Sequence, residues 1–190
     1  MPDDFATIRA DIEQRLSEGA TSRHSAMHCP AVATCDADVR TLVLRAFDLN
    51  TWRLRFHTDS RSPKVSVIAD GAPVGVLFYD REAKLQIRVR GQGRIVTQGG
   101  EVDRIWSETT EFARRCYLGW APGETVSTPS SGLPEWIEGE QPTEEQLLPA
   151  RENFGLLYVD TEEVDWFSLS NSGHRRAVLT PSGDARWITP

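Results

Sequence analysis

The chain is poor in cysteine and has no long apolar run. Its three cysteines, Cys29, Cys35 and Cys116, are an odd number without paired metal-ligand spacing, which excludes a disulfide framework and leaves no metal site to expect. No apolar stretch approaches the roughly 18 residues that cross a bilayer, and Met1 to Phe5 is acidic where a secretory leader would be basic and then apolar. A soluble cytoplasmic protein without membrane attachment is expected. Positive charge is in the minority, 21 Lys and Arg against 28 Asp and Glu, and the net charge of -7 excludes a protein that coats nucleic acid. Internal repeats are absent, and so is the alternation of strand and helix patterns that a parallel sheet requires.

What is present suits one globular domain over 1–190, since 39% of the 190 residues are hydrophobic. Phe5, Ile8, Ile12 and Leu16 fall at helical spacing after an acidic cap, Asp3 or Asp4, and Gly19 closes the pattern, so an amphipathic helix occupies 1–20. From Ala31 the period changes to two. Short strands are expected over 31–35, 39–47 and 51–58, then a helix over 63–70 with Ser62 as its cap and Pro63 in its first position. A long hairpin follows over 73–79 and 83–96. A helix over 101–118 carries the stripe Val102, Ile105, Trp106, Phe112 and Cys116. The segment 119–149 is rich in Pro, Gly, Ser and Glu and too long for an ordinary connection, so it is either functional or partly disordered. The last strands fall at 154–170, 174–180 and 185–189. Strands outnumber helices and most connections are hairpins, which predicts a mainly β fold with flanking helices, an antiparallel barrel of six or more strands.

Charge is uneven along the chain. Between Arg40 and Lys64 six cations stand against Asp48 and Asp59, a stretch able to hold an anion. Between Glu135 and Asp165 ten acids face only Arg151, which reads as a solvated face. In Thr58-Asp59-Ser60-Arg61-Ser62-Pro63-Lys64 a strand end, a hydroxyl cap, a helix start and two cations meet within one turn, the donor set of a phosphate site. A solvent-facing basic turn has the same composition. Arg40 and Arg45, five apart on one strand, point to opposite faces unless a bulge or strand end intervenes. Gln86 shares a face with Arg88 and Arg90 and can both donate to and accept from a heteroaromatic edge. His24 and His28 lie outside any helical pattern, so they make a poor metal pair.

In order and spacing these pieces resemble the pyridoxamine-5'-phosphate-oxidase-like, FMN-binding split-barrel family, from about Ala31 to the C-terminus. Arg40 to Arg45 resembles its Arg-x-x-x-x-Lys strand, with Arg45 in the Lys position. His57-Thr58 stands for its aromatic-Thr pair, and Ser62 and Lys64 match its phosphate turn, where Pro63 occupies an Arg position that Arg61 replaces. Gln86 matches the glutamine near the isoalloxazine ring, Ser130 the serine of a Gln-Ser pair whose first member is here Pro129, Trp166 or Phe167 the ring-side aromatic, and Arg176 the last flavin-binding arginine. His174 and Arg175 fall on the substrate side. Ser172 stands where the oxidases carry the arginine that holds pyridoxine phosphate. The similarity is greatest to a subgroup with the Thr-Asp-x-Arg-Ser-x-Lys turn and no assigned substrate. The resemblance implies bound FMN, a homodimer with FMN at its interface, Arg40 and Lys64 reaching it from one subunit and Arg176 from the other, and oxidoreductase activity on a small molecule. Three alternatives remain: a genuine pyridoxamine-5'-phosphate oxidase, a non-catalytic flavin-binding or sensory protein, and a haem-binding relative that uses His24, His28 or His174 as axial ligand.

Overall fold

The computed structural model describes residues 3–190, and Met1 and Pro2 lie outside the described residues. Helix α1 runs Phe5–Thr21, with Asp4 as its cap: the Asp4 Oδ1 accepts from the Thr7 backbone N–H at 2.8 Å. The helix continues past Gly19. That glycine is a close-contact residue, because a Cβ there would stand 2.8 Å from the Met27 carbonyl oxygen. Ile8, Ile12 and Leu16 are fully buried against the barrel, each contributing about 1.5–3 kcal/mol by leaving water. Two core indoles tie the polar shoulder of α1 to the sheet, Trp52 donating to Glu13 at 3.0 Å and Trp166 to Asp11 at 2.9 Å.

Among the described residues nine strands make one antiparallel sheet: β1 (Ala31–Thr34), β2 (Val39–Thr41), β3 (Leu44–Asp48), β4 (Arg53–Asp59), β5 (Ala72–Asp80), β6 (Leu85–Val96), β7 (Phe154–Ser168), β8 (Arg175–Leu179) and β9 (Ala185–Trp187). Seven follow the order β2-β1-β5-β6-β7-β4-β3, with β8 and β9 attached to the far half of β7. The curled sheet is the split barrel expected from the sequence. Leu54 and Phe56 on β4, Val74, Val76 and Phe78 on β5, and Leu85, Ile87 and Val89 on β6 alternate into the main core. The first half of β7 is buried on both faces. It sends Leu157 and Val159 into the main core and Phe154, Leu156 and Tyr158 into a second cluster under the helices.

Gly91 sits where the pairing of β6 with β7 shifts register. A Cβ at Gly91 would stand 2.2 Å from the Asp160 carbonyl oxygen, so only glycine fits.

Two elements differ from expectation. The strand expected over 39–47 is interrupted at Leu42 and Val43, and a second irregularity leaves Arg45 between Leu44, opposite Phe56, and Ala46, opposite Arg55. The helix expected over 101–118 divides into α3 (Gly100–Glu108), α4 (Glu111–Arg114) and a tight turn over Arg115–Leu118, because Thr109 is extended and Thr110 caps a new start through Ala113. Val102, Ile105 and Trp106 are buried as the stripe requires, but Phe112 and Cys116 are exposed. The 119–149 segment has structure of its own, a turn at Glu135–Ile137 and helix α5 (Glu144–Leu147) with a Thr143–Gln146 capping box. No helix among the described residues is long and apolar enough to cross a membrane.

Candidate functional site

The expected site residues fall into three groups. The first lies where β4 ends and the short helix α2 (Pro63–Ile68) begins. Ser62 does not cap α2 with its side chain, because its Oγ accepts from the Lys64 Nζ at 2.6 Å. Arg40, on β2, donates to the Thr34 Oγ1 at 2.9 Å and pairs with Asp38. Burial lowers the Lys64 pKa, and the charge of Arg40 lowers it further, against the pull of Asp59 and Asp38. Two cations held near each other in a partly desolvated turn gain most from a phosphate dianion. Arg61 is committed differently. Its Nε and Nη2 fork onto Asp59 at 3.0 and 2.7 Å, which raises its pKa and offsets its charge. Thr58, buried at 3% exposure, lies on the inner face of β4 below this turn.

The second group surrounds a cavity of about 260 Å³ between β3, β4 and the junction of α3 with α4, lined by Arg45, Arg55, His57, Thr109 and Thr110. His57 is adjacent to Thr58 in sequence but points to the other face of β4, edge-on to Phe154 at 4.9 Å. Burial, with Arg45 and Arg55 adding like charge, pushes the His57 pKa down to about 3, so the ring is neutral. The His57 Nε2 and the Arg55 Nε are buried and have no hydrogen-bond partner among the described residues. Arg40 and Arg45 are thus delivered to different places by the interrupted strand, and Arg55 joins the site unforeseen.

The third group is a row across the outer face of the sheet. Gln86 on β6 pairs in register with Phe167 on β7, which pairs with Arg176 on β8. The Arg176 guanidinium lies 5.4 Å from the Phe167 ring centroid, and His174 approaches the same ring edge-on at 5.7 Å. Tyr79 extends the row on β5, opposite Gln86, and is exposed. Of the two aromatic candidates, Phe167 belongs to this row and Trp166 points into the core. Arg175 is turned away from Arg176 and reaches Asp3 at 3.4 Å. Ser130 is exposed in the 119–149 segment, its Oγ accepting from the Gly132 N–H at 3.0 Å.

The acidic stretch read as solvated is only partly so. Asp165 is 8% exposed and is held by Arg88 and Arg176, and Glu163 pairs with Arg90 and Arg186. Both carboxylates stand on β7 between arginines of β6 on one side and of β8 or β9 on the other, an arrangement that charge counting along the chain does not reveal.

Residues 6–97 match the model of the pyridoxamine 5'-phosphate oxidase FMN-binding domain. A pyridoxamine 5'-phosphate oxidase-related, FMN binding protein from Nostoc punctiforme PCC 73102 is 25% identical and superposes with a TM-score of 0.72 over 98% of this chain and 100% of its own. Over residues 6–97 and in its fold the chain is similar to the pyridoxamine-5'-phosphate-oxidase-like FMN-binding family. PhzG from Burkholderia lata 383, in complex with tetrahydrophenazine-1-carboxylic acid, is 18% identical with a TM-score of 0.63, covering 100% of this chain and 94% of that one. The general stress FMN/FAD binding protein of Xanthomonas citri is 14% identical with a TM-score of 0.55, covering 88% and 93%. These two share the fold. No curated protein matches the chain.

FMN is the cofactor of this family's domain, and the donor chemistry here fits it. Lys64 with Arg40 and Ser62 suits a phosphate, while Gln86, Phe167 and Arg176 offer an amide, an aromatic face and a guanidinium to a flat heteroaromatic ring.

Proposed function

We propose that the chain is an FMN-dependent oxidoreductase acting on a small molecule, and that two copies of it complete each flavin site. The separation of the phosphate group from the ring group carries this reading. Along β2-β1-β5-β6-β7-β8, five strand steps lie between Arg40 and Arg176, a path of roughly 24 Å around the curled sheet at about 4.8 Å per step. Arg40 shares its face with the core residue Val32, whereas Arg176 shares the outer face with Phe167. One flavin then takes its phosphate contacts from one copy and its ring contacts from the other. The outer face supports a second copy as its cover, since Val39, Leu77 and Tyr79 are exposed there and Ala31, Ala33 and Gly75 line a shallow cavity of about 290 Å³ beside Val39 and Leu77.

Bound FMN supplies the electron transfer. The chain's own residues bind and orient it: Arg40, Ser62 and Lys64 at the phosphate, Gln86 and Arg176 at the polar edge of the ring, Phe167 beside it. The cavity of Arg45, Arg55 and His57 supports an anionic group on the second reactant, because its two unpartnered buried N–H or ring nitrogen positions gain a partner when such a group enters. Ser172 is exposed and shares a hydrogen bond with Ser170 at 2.9 Å, so it brings no charge to a pyridoxine phosphate. The exposed unpaired thiols of Cys29, Cys35 and Cys116 suit a reducing compartment such as the cytoplasm.

The test is the absorption spectrum of the purified protein followed by rapid mixing with candidate electron donors. Flavin bands that bleach and recover at turnover rates are expected. A flavin that neither bleaches nor recovers would make this a flavin-binding sensory protein, and a Soret band would make it a haem protein.

A further inference from the structure

Asp165 stands on the outer face of β7 between Arg88 of β6 and Arg176 of β8. Arg176 clasps it with a fork, Nε to Oδ1 at 3.0 Å and Nη2 to Oδ2 at 2.8 Å, while Arg88 pairs with Oδ2. Burial raises the pKa of this carboxyl, but hydrogen bonds from Arg176 and Arg88 outweigh it and hold the group below the ordinary carboxylate range. The carboxylate is therefore ionised at neutral pH and opposes two cations with one negative charge.

A guanidinium carries five N–H donors, and the fork onto Asp165 uses two of them. The remaining three lie on the edges turned away from the carboxylate. The ring of Phe167 sits 5.4 Å from the same guanidinium, so a carboxylate and an aromatic ring together restrict it. An arginine on an exposed strand would otherwise sample many rotamers, and a planar fork loses less freedom per hydrogen bond once it is fixed.

We infer that Asp165 is a positioning residue for the flavin ring: it aims the free donors of Arg176 and offsets part of the positive charge that Arg88 and Arg176 bring to the ring's edge. This rests on the flavin reading of the Gln86, Phe167 and Arg176 row. Two consequences follow from electrostatics. Correct aim strengthens binding of oxidised FMN. Offsetting the charge disfavours reduced FMN, which carries more negative charge than the oxidised form, so Asp165 holds the reduction potential down.

The experiment measures FMN affinity and the two-electron midpoint potential of the full-length protein for wild type, Asp165→Asn, Asp165→Glu and Arg176→Ala. In Asp165→Asn, oxidised FMN binds about tenfold more weakly and the midpoint rises; a tenfold gain of reduced over oxidised affinity corresponds to about 30 mV. Asp165→Glu keeps the charge, so its midpoint stays near that of wild type while its affinity falls. In an Arg176→Ala background, Asp165→Asn costs no further affinity, because the residue acts through the arginine. An unmoved midpoint and affinity in Asp165→Asn, with Arg176→Ala still weakening FMN, would overturn the inference and leave the flavin reading standing. Unchanged FMN binding in Arg176→Ala would overturn the flavin reading of the row and the inference with it. Should Asp165→Asn fail to fold, Asp165→Glu decides, and wild-type affinity in that variant overturns the inference.

Discussion

The Lys64 ammonium donates to the Ser62 hydroxyl at 2.6 Å while the charge of Arg40 and the loss of water both lower its hold on its proton. A hydroxyl expected to cap a helix is thereby turned into a support for a cation. On the proposed flavin reading, the phosphate neutralises Lys64 and Arg40 together.

Replacing Arg40 and Lys64 by alanine together is expected to weaken FMN far more than riboflavin, which lacks the phosphate. Each charge-assisted contact contributes about 1.5–3 kcal/mol, or roughly one to two decades in affinity. Arg61→Ala should cost less than Lys64→Ala, since its guanidinium is already satisfied by Asp59. Fluorescence titration of both ligands checks this, and equal losses for FMN and riboflavin would remove the phosphate assignment.

His57 gives the fold an acid-side sensitivity. Its folded pKa of about 3 lies below the ordinary 6.5, so between these values the unfolded chain binds the extra proton and the folded chain does not. Stability contributed by the neutral ring is complete above pH 6.5 and is lost as pH falls toward 3, by up to about 1.4 kcal/mol per pH unit. His57→Phe should flatten the urea-unfolding free energy between pH 6.5 and 5 relative to wild type. The same slope in both proteins would mean that the imidazole is not held neutral.

Gly91→Ala forces a methyl group into the Asp160 carbonyl across the β6–β7 pairing. The backbone must separate, and a loss of about 2 kcal/mol or more is expected, a fall in melting temperature of roughly 4–8 °C for a domain of this size. Calorimetry reads it directly. Wild-type melting would show that the register shift can relax.

Pyridoxine 5'-phosphate should turn over poorly. Ser172 cannot replace a guanidinium at the substrate's phosphate. Turnover near the median enzyme rate of about 10 per second would contradict that.

Much of this was legible in the residues because the determining forces are local. Alternation in Leu85, Ile87 and Val89 fixes which face of β6 is buried, and the same alternation places Gln86 outside. Period two also separates His57 from Thr58 and Trp166 from Phe167, so one member of each pair leaves the face of the other. The break at Leu42 and Val43, the second start at Thr110 and the clamped Asp165 were not legible. The break follows because β2 pairs back onto β1 while β3 pairs forward onto β4; α4 packs beside α5, and Asp165 meets Arg88 only once β6 and β7 pair. An acid within a run of acids looks solvated until the sheet supplies its arginines.

The central claim, that Arg40 of one copy and Arg176 of the other serve the same flavin, is tested most directly by mixing two inactive variants. Arg40→Ala and Arg176→Ala are each expected to weaken FMN by about one to two decades, so at a flavin concentration that just saturates wild type neither variant is appreciably loaded. In a mixed dimer one of the two sites combines the intact Arg40 of one chain with the intact Arg176 of the other, and random pairing makes about half of all dimers mixed. Flavin bound per subunit after co-refolding an equimolar mixture should therefore return to about a quarter of the wild-type level. Mixed dimers that recover no flavin would show that both arginines act on one site within a single chain, and the account would fail.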